Sequence, residues 1–371
     1  MKKASTPLDL KRVKVRPLAE RESLSSLAEI LVNPARQPPA CPAETLATIN
    51  DCARKIVAAR RSNASVILMY GAHLVKNGLL AVVNQLVERD AVTHLATNGA
   101  GVIHDWELAF HGRTAESVRD NVATGTFGAW EETGRNIYLA LLAGAPLGEG
   151  FGRSVGRFIE EDGVALPTRD ALEALLRKEP SHPLSPARAE LLRAMVAHKL
   201  RSGRTNVKHP WKRTSILAQA IRRGVPFTVH PGIGYDIIAC HPMFRGAVLG
   251  RAADIDFRLF GGAVDRLDGG IVLSVGSAIM APQVFEKSVS CVNNLRLQAN
   301  RPIVHDHTMF VVDIQDSGDW DWSEGEPPRD NPAYYLRFCK SFARMGGVMR
   351  YVQCDNVVFL HNLLHCLEHR C

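Results

Sequence analysis

Long apolar runs are missing from this chain of 371 residues. Stretches such as Ala64 to Tyr70 and Gly270 to Ser274 give way to Gly71 and to Val275-Gly276, well short of the roughly 20 residues that a membrane-spanning helix needs. Met1 to Lys14 is basic but has no apolar segment and no small-residue cleavage site, so no secretory signal is expected and the chain is read as cytoplasmic. Eight cysteines (Cys41, Cys52, Cys240, Cys291, Cys339, Cys354, Cys366, Cys371) are scattered without a Cys-x-x-Cys pair. A chain this large has no need of disulfide staples, so reduced thiols are expected. No internal repeat of fixed period is present, which excludes a solenoid or propeller.

A broad basic face is lacking too. The net charge is +7, but much of the surplus falls in the first 14 residues and between Arg201 and Arg213. A basic tail and one loop do not form a groove, so nucleic acid is not an expected partner. Arg201, Arg204, Lys208, Lys212 and Arg213 read as a solvated loop.

What the chain does have is 46% hydrophobic residues, enough for a sizeable core in one large domain or two modest ones. Residues 1 to 42 are Pro-rich and charged and read as an arm outside the core, with one short helix at Leu24 to Leu31. From Ala43 the apolar pattern alternates: helix to Arg60, strand Ser65 to Tyr70, helix Val75 to Arg89, strand Val92 to Thr97, then a Gly-rich turn opening a helix near Val102. A helix-rich insertion from about 114 to 201 is expected to cap the sheet. The rhythm then resumes with strands at Pro226 to Val229, Gly270 to Ser274, Thr308 to Val312 and near Tyr351, and a terminal helix Val357 to His369. The pattern predicts an α/β fold with a Rossmann-like parallel sheet covered by helices on both faces, where ligands gather at the carboxyl ends of the strands.

Four strand ends run into turns of small residues: Gly71-Ala72-His73, Thr97-Asn98-Gly99-Ala100-Gly101, Pro231-Gly232-Ile233-Gly234 and Ser274-Val275-Gly276-Ser277-Ala278. Such turns let backbone N–H groups approach phosphate oxygens at the start of a helix. Any one of them is also ordinary turn chemistry; four at the ends of strands predict a nucleotide site. His104 and Asp105 follow the second turn, where Asp105 is either a ligand group or a helix N-terminal charge. Asp236, two residues past Gly234, either accepts from a ribose or amine or caps a helix. Between Asp313 and Asp330, seven carboxylates interleave with Trp320 and Trp322. That mixture suits a cationic ligand through charge pairing and cation–π attraction, or is a solvated loop with two packing indoles. His361, His365 and His369 share a helix face and read as a surface stripe rather than a metal site; no metal is expected.

These residues resemble deoxyhypusine synthase, the NAD-dependent aminobutyl transferase acting on spermidine, over about residues 62 to 370. Val66 to Leu108 follows that family's strand, turn, helix, strand and Thr-x-Gly-Gly turn without a gap. By this resemblance Thr97 to Gly101 stands where the family binds its cofactor, and Asp105 falls on the aspartate of its Glu-Glu-Asp run. Ile271 to Gly276 looks like its Ile-Leu-Gly-Gly-Gly strand and turn. Thr308, Asp313 and Asp316-Ser317-Gly318 match its Asp-x-x-Asp-Ser-Gly loop, Asp355 and Asn356 its last NAD position, and Asp236 a polyamine-binding aspartate.

Departures fall on the substrate side. Arg337 stands in place of the lysine that forms an imine, with Tyr335 on the family's tryptophan; His104 replaces a glutamate, Ala281 a histidine, and Ser274 and Val275 a pair of glycines. Arginine stays protonated and forms no imine. The resemblance implies a deoxyhypusine synthase-like NAD enzyme, a homotetramer or homodimer, that takes a hydride from an amine or alcohol carbon, with group transfer by a route other than the lysine imine. Its cofactor residues would be Gly71, Ala72, His73, Thr97, Asn98, Gly99, Ala100, Gly101, Asp105, Gly276, Ser277, Thr308, Asp313, Ser317, Asp355 and Asn356. His104 would be the base, and Asp236, Asp316, Trp322 and Tyr335 would hold a cationic substrate. Two alternatives stay open: an anionic amino or hydroxy acid gripped by Arg337 and His73, and an NAD-binding sensor or scaffold without catalysis.

Overall fold

Six short runs form one sheet in the computed structural model, which describes residues 6 to 369. Cys371 and the first residues of the basic N-terminus lie outside the described residues. The strands are β1 (Val66–Tyr70), β2 (His94–Thr97), β3 (Phe227–Val229), β4 (Ile271–Val275), β5 (Thr308–Asp313) and β6 (Val348–Gln353). They lie in the order β6-β5-β4-β1-β2-β3, and every neighbouring pair is parallel. This is the doubly wound order. The chain builds outward from β1 through β2 to β3, then returns to the centre and builds the other way through β4, so the switch point falls between β1 and β4.

A wholly parallel sheet needs both faces covered, and β1 shows how. All five of its residues are buried. Val66, Leu68 and Tyr70 join a layer that includes the helices Ala43–Arg61, Leu80–Glu88 and Asn356–Glu368. Ile67 and Met69 turn the other way, toward Gly246–Val264, Met280–Gln298 and Arg337–Ala343. Period-two geometry thus feeds two apolar layers from one strand. No helix among the described residues is long and apolar enough to cross a membrane.

Two expectations are corrected. The helix read over Val75 to Arg89 is two pieces, Ala72–Lys76 and Leu80–Glu88. Between them Gly78 takes φ +79°, and its carbonyl accepts from Val32 N–H (3.0 Å). The break therefore makes room for the N-terminal segment, which is no detached arm: Leu18 and Leu27 are buried, and Ser25–Ser26 pairs with Arg113–Thr114. The insertion packs against the sheet at its edge strand β3, and its Glu116, Val118 and Phe127 also line a pocket beyond the turn after β2. Its helix Phe151–Glu160 runs so close to β3 that a Cβ on Gly152 would lie 2.0 Å from the Phe227 carbonyl oxygen. The Asp256 carboxylate accepts from Gly152 N–H (3.0 Å) and from Val229 N–H (2.8 Å), closing the open edge of β3 against further pairing.

Candidate functional site

At the switch point the backbones of two glycines nearly touch. Gly71 N–H donates to the Val275 carbonyl (3.3 Å), and a Cβ on Gly71 would lie 2.2 Å from the Gly276 carbonyl oxygen. Gly276 itself takes φ +57°, a conformation glycine adopts without strain. Above them opens a cleft of about 550 Å³ lined by residues following five strands: Gly71, Ala72 and His73 after β1, Asn98 after β2, Gly276 and Ser277 after β4, Asp313 at the end of β5, and Asp355 and Asn356 after β6. The volume lies within the ~300–1,000 Å³ range of small-molecule sites.

Three helices of thirteen or more residues begin at the wall of this cleft, each tied by a polar side chain. Asn98 Oδ1 accepts from Gly101 N–H (2.9 Å), Ser277 Oγ from Ala281 N–H (3.3 Å) and Asp355 Oδ1 from Val357 N–H (2.7 Å). Asn77 Nδ2 donates to Asn356 Oδ1 (2.9 Å), fixing the last helix against the first turn. Asp313 Oδ1 accepts from the Gln315 backbone and side-chain N–H groups (3.1 and 3.3 Å). Among the described residues no lysine or arginine lines the cleft, so an anionic group there would be met by amides and helix dipoles. Cys354 also lines it; burial pushes its thiol up to about 11, which keeps it protonated and a poor nucleophile at neutral pH.

A second, smaller pocket of about 200 Å³ lies beyond the turn 97–101, where Lys76, Ala100, His104, Glu107, Tyr235 and Asp236 line it together with Arg21 of the N-terminal segment. Two short features separate the chambers. Asn98 lines the first and Ala100 the second; His73 lines the first and Lys76, on the same short helix, the second. Asp236 stands over the start of the helix Gly99–His111, where a Cβ on Gly99 would lie 2.2 Å from its Oδ2. That oxygen accepts from Gly232 N–H (2.7 Å). Burial pushes the carboxyl up to about 6 against this hydrogen bond.

His104 is held by a chain of buried groups. Arg21 grips Glu107 through two parallel bonds (2.7 and 2.9 Å), and both side chains are 1% exposed. Burial pushes the Glu107 carboxyl up, but the Arg21 charge and hydrogen bonds overcome this and leave it below its usual value. Ionised, it only accepts: from Thr114 (2.7 Å) and from Thr133 (2.9 Å). Thr114 has spent its one proton on Glu107, so at 2.7 Å its oxygen accepts from His104 Nδ1–H. The tautomer follows: Nε2 carries the lone pair. Burial pushes the imidazole down to about 4, against the upward pull of Glu107, so it is neutral at physiological pH.

Several expected site residues stand elsewhere. Asp105 faces away from both chambers, and its carboxylate accepts from Ser215 Oγ (3.1 Å), Ile216 N–H (3.3 Å) and Leu217 N–H (2.9 Å). It secures the start of the helix Ile216–Arg223. Thr97 is fully buried and donates to the Tyr70 carbonyl (2.8 Å); Gly101 packs against it. Thr308 is the first residue of β5, at the strand end opposite the cleft, about 17 Å from it at ~3.3 Å per residue. Trp322 is core, its Nε1 bonded to the Ser317 carbonyl (3.0 Å), and Trp320 bonds the Gly325 carbonyl (3.0 Å). Trp322 is therefore buried in the core, while Trp320 is half-buried against it. Asp316 closes a local turn on Gly318 N–H (2.9 Å). Ser317, Tyr335 and Arg337 line neither chamber, and Tyr335 and Arg337 are exposed.

On the last helix, His361 is buried with Nε2 against the Pro34 carbonyl (3.2 Å), so the stripe is not all surface. His365, Glu368 and His369 hold ligand-type atoms within 4.8 Å of one another, but Glu368 is engaged by Arg89 (2.5 Å). Sequence reasoning missed Arg21, Glu107 and Thr114.

The placement of Asp105 yields a test. Asp105→Ala is expected to destabilise the fold by about 2–3 kcal/mol, because buried N–H donors at a helix start lose their acceptor. Asp105→Asn, which keeps an acceptor oxygen, should lose less than half of that in urea denaturation and leave ligand affinity at the cleft unchanged; weakened binding with intact stability would return Asp105 to the site.

No family model and no curated protein matches the chain. Among solved structures it is similar to ArgZ, an arginine dihydrolase from the ornithine-ammonia cycle in cyanobacteria (13% identity, TM-score 0.41, covering 87% of this chain and 33% of that one). It is similar as well to a LOR/SDH-type protein from Methanococcus maripaludis S2 (16% identity, TM-score 0.39, covering 92% and 73%). A third is a deoxyhypusine synthase-like protein from Entamoeba histolytica (11% identity, TM-score 0.34, covering 83% and 76%). The chain spans about a third of the length of the ArgZ chain. Likenesses this distant leave the function to rest on the chain's own geometry.

Proposed function

We propose that the cleft at the switch point holds NAD, and that the chain is a divergent deoxyhypusine synthase-like enzyme that removes a hydride from an amine or alcohol carbon of a small substrate. The supporting observation is the position and make-up of the cleft. It lies where doubly wound sheets receive dinucleotides, its floor is two glycine backbones in near contact, and carboxylates stand at the tips of β5 and β6. Asp313 and Asp355 each keep one carboxylate oxygen outside the local turn or cap they form, suited to ribose hydroxyls. Amides at the starts of the flanking helices suit the phosphates. The turn after β1 lacks the Gly-x-Gly-x-x-Gly pattern, so the close approach is shared between Gly71 and Gly276 rather than built into one loop.

When bound, NAD supplies the hydride acceptor. The chain's own groups orient the reactants: His104 presents a neutral lone pair in the chamber that Asp236 also lines, next to the turn 97–101. The imine route is set aside because the position of the family's lysine is Arg337, exposed and lining neither chamber. We read the active form as a homodimer or homotetramer in the cytoplasm.

Calorimetric titration with NAD tests the cleft directly. Saturable binding is expected, and Asp313→Ala should weaken it about ten- to hundredfold, the value of one hydrogen bond to a charged group. Failure of the wild-type chain to bind NAD would end this reading. NADH absorbance on incubation of the complex with amines, alcohols and amino acids then separates an enzyme from a sensor.

A further inference from the structure

Five charged side chains line the smaller pocket, and three of them are fully engaged by neighbouring protein groups. Arg21 and Glu107 satisfy each other. Glu116, also in the wall, accepts from Asn121 Nδ2 (2.6 Å), Gly128 N–H (3.2 Å) and Trp130 Nε1 (3.0 Å). Besides the hydroxyl of the exposed Tyr235, three polar features remain uncommitted among the described residues. Lys76 makes no hydrogen bond or ion pair, Asp236 engages only one of its oxygens, and His104 bonds only through Nδ1. Lys76, Asp236 with one unengaged oxygen and His104 with one unengaged nitrogen therefore line the same space of about 200 Å³, too small for a dinucleotide.

We infer that this chamber is the binding site for a small amino acid, whose ammonium is met by Asp236 and by Nε2 of His104 and whose carboxylate is met by Lys76. The complement is that of a zwitterion: a lone amine would leave the Lys76 ammonium beside it without a counter-charge, and a lone acid would leave the buried Asp236 carboxylate without one. Arg21, Glu107 and Thr114 are positioning residues. Their chain of hydrogen bonds decides which imidazole nitrogen bears the proton, and with the opposite tautomer Nε2–H would point a donor at an ammonium that has only donors to offer. The assignment deepens the reading of the neighbouring cleft, since it names what the bound NAD would meet, but its test does not depend on NAD.

Glycine, alanine and serine are titrated calorimetrically into the full chain without NAD, alongside ethylamine and propionate. Saturable binding of at least one amino acid is expected, with both single-charge analogues weaker by about tenfold or more. Lys76→Met, a change at a half-exposed helix position, should lower amino-acid affinity by about tenfold and bring it level with that of ethylamine. Asp236→Asn should bring it level with propionate. Ring-nitrogen NMR should show His104 protonated at Nδ1, and Thr114→Val should release that preference. Absence of amino-acid binding, ethylamine or propionate binding as well as the amino acids, or an Nε2–H tautomer in the wild-type chain would each overturn the assignment. NAD titrated into the same samples keeps the two readings separable: amino-acid binding without NAD binding ends the cleft reading alone, and the converse ends this one alone.

Discussion

Arg21→Met is expected to cost the fold about 3–5 kcal/mol, because it strands a carboxylate with almost no access to water. Glu107 would keep its bonds from Thr114 and Thr133 but lose both bonds from the guanidinium, and with them the charge that offsets its burial. The loss should depend on pH in a definite direction. With Arg21 present, Glu107 titrates below its unfolded value, so its contribution is present above that value and lost as the solution is acidified through the folded pKa. Without Arg21, burial alone raises the folded pKa above the unfolded one, and stability is then lost as pH rises. The gap between wild type and variant should therefore narrow from pH 7 toward pH 5 in urea denaturation. Pairing Arg21→Met with Glu107→Leu should recover much of the loss, since an apolar pair removes the stranded charge. A loss below about 1 kcal/mol for Arg21→Met would mean that the N-terminal segment is an accessory and not part of the pocket.

Gly71→Ala should produce the largest loss of ligand affinity. The new methyl group would meet the Gly276 carbonyl oxygen at 2.2 Å and its carbon at 3.2 Å, both backbone atoms that cannot rotate away. Relief requires β1 and β4 to part at their carboxyl ends, an overpacking cost of about 1–3 kcal/mol, and the parting opens the floor of the cleft. NAD affinity should fall at least a hundredfold. Gly276→Ala is the informative contrast. Its Cβ would have open space, with Asn356 Nδ2 the nearest atom at 3.9 Å, so its cost is the left-handed backbone alone, about 1–2 kcal/mol. Thermal melts and NAD titrations on both variants check the pair; wild-type affinity in Gly71→Ala would show that the dinucleotide binds somewhere else.

The strands were readable because a sheet buried on both faces leaves no polar alternation to blur them: Val66 to Tyr70 is a plain apolar run, and it is β1. The turns were readable as turns. Their convergence was not, since it depends on which strands become neighbours, and β1 lies against β4 only through a register set by packing. Asp105 shows the ambiguity that sequence leaves. An aspartate in a first helical turn suits a ligand or a helix dipole equally, and here it secures a different helix more than a hundred residues downstream. The acidic loop misled in a related way, because Trp320 and Trp322 look the same in sequence whether their faces are offered to solvent or turned into the core. Arg21 gave no signal at all. It sits in a segment whose prolines and charges read as an arm, and its partner Glu107 lies in the helix that follows the turn after β2. The structure returns the segment to the core through the buried Leu18 and Leu27 and the pairing of Ser25–Ser26 with Arg113–Thr114.

The pairing of β1 with β4 also governs how the molecule is made. The two strands at the heart of the sheet are about 200 residues apart in the chain, and loop closure over that distance must be met before their contacts contribute. Until β4 arrives, β1 presents a bare strand edge of apolar residues, the kind of surface through which nascent chains associate. The same late event that completes the sheet brings Gly276 against Gly71, so a chain that has folded its first half has helices and strands but no cleft. Ligand competence should therefore appear in the slowest refolding phase, after most of the helical signal has returned.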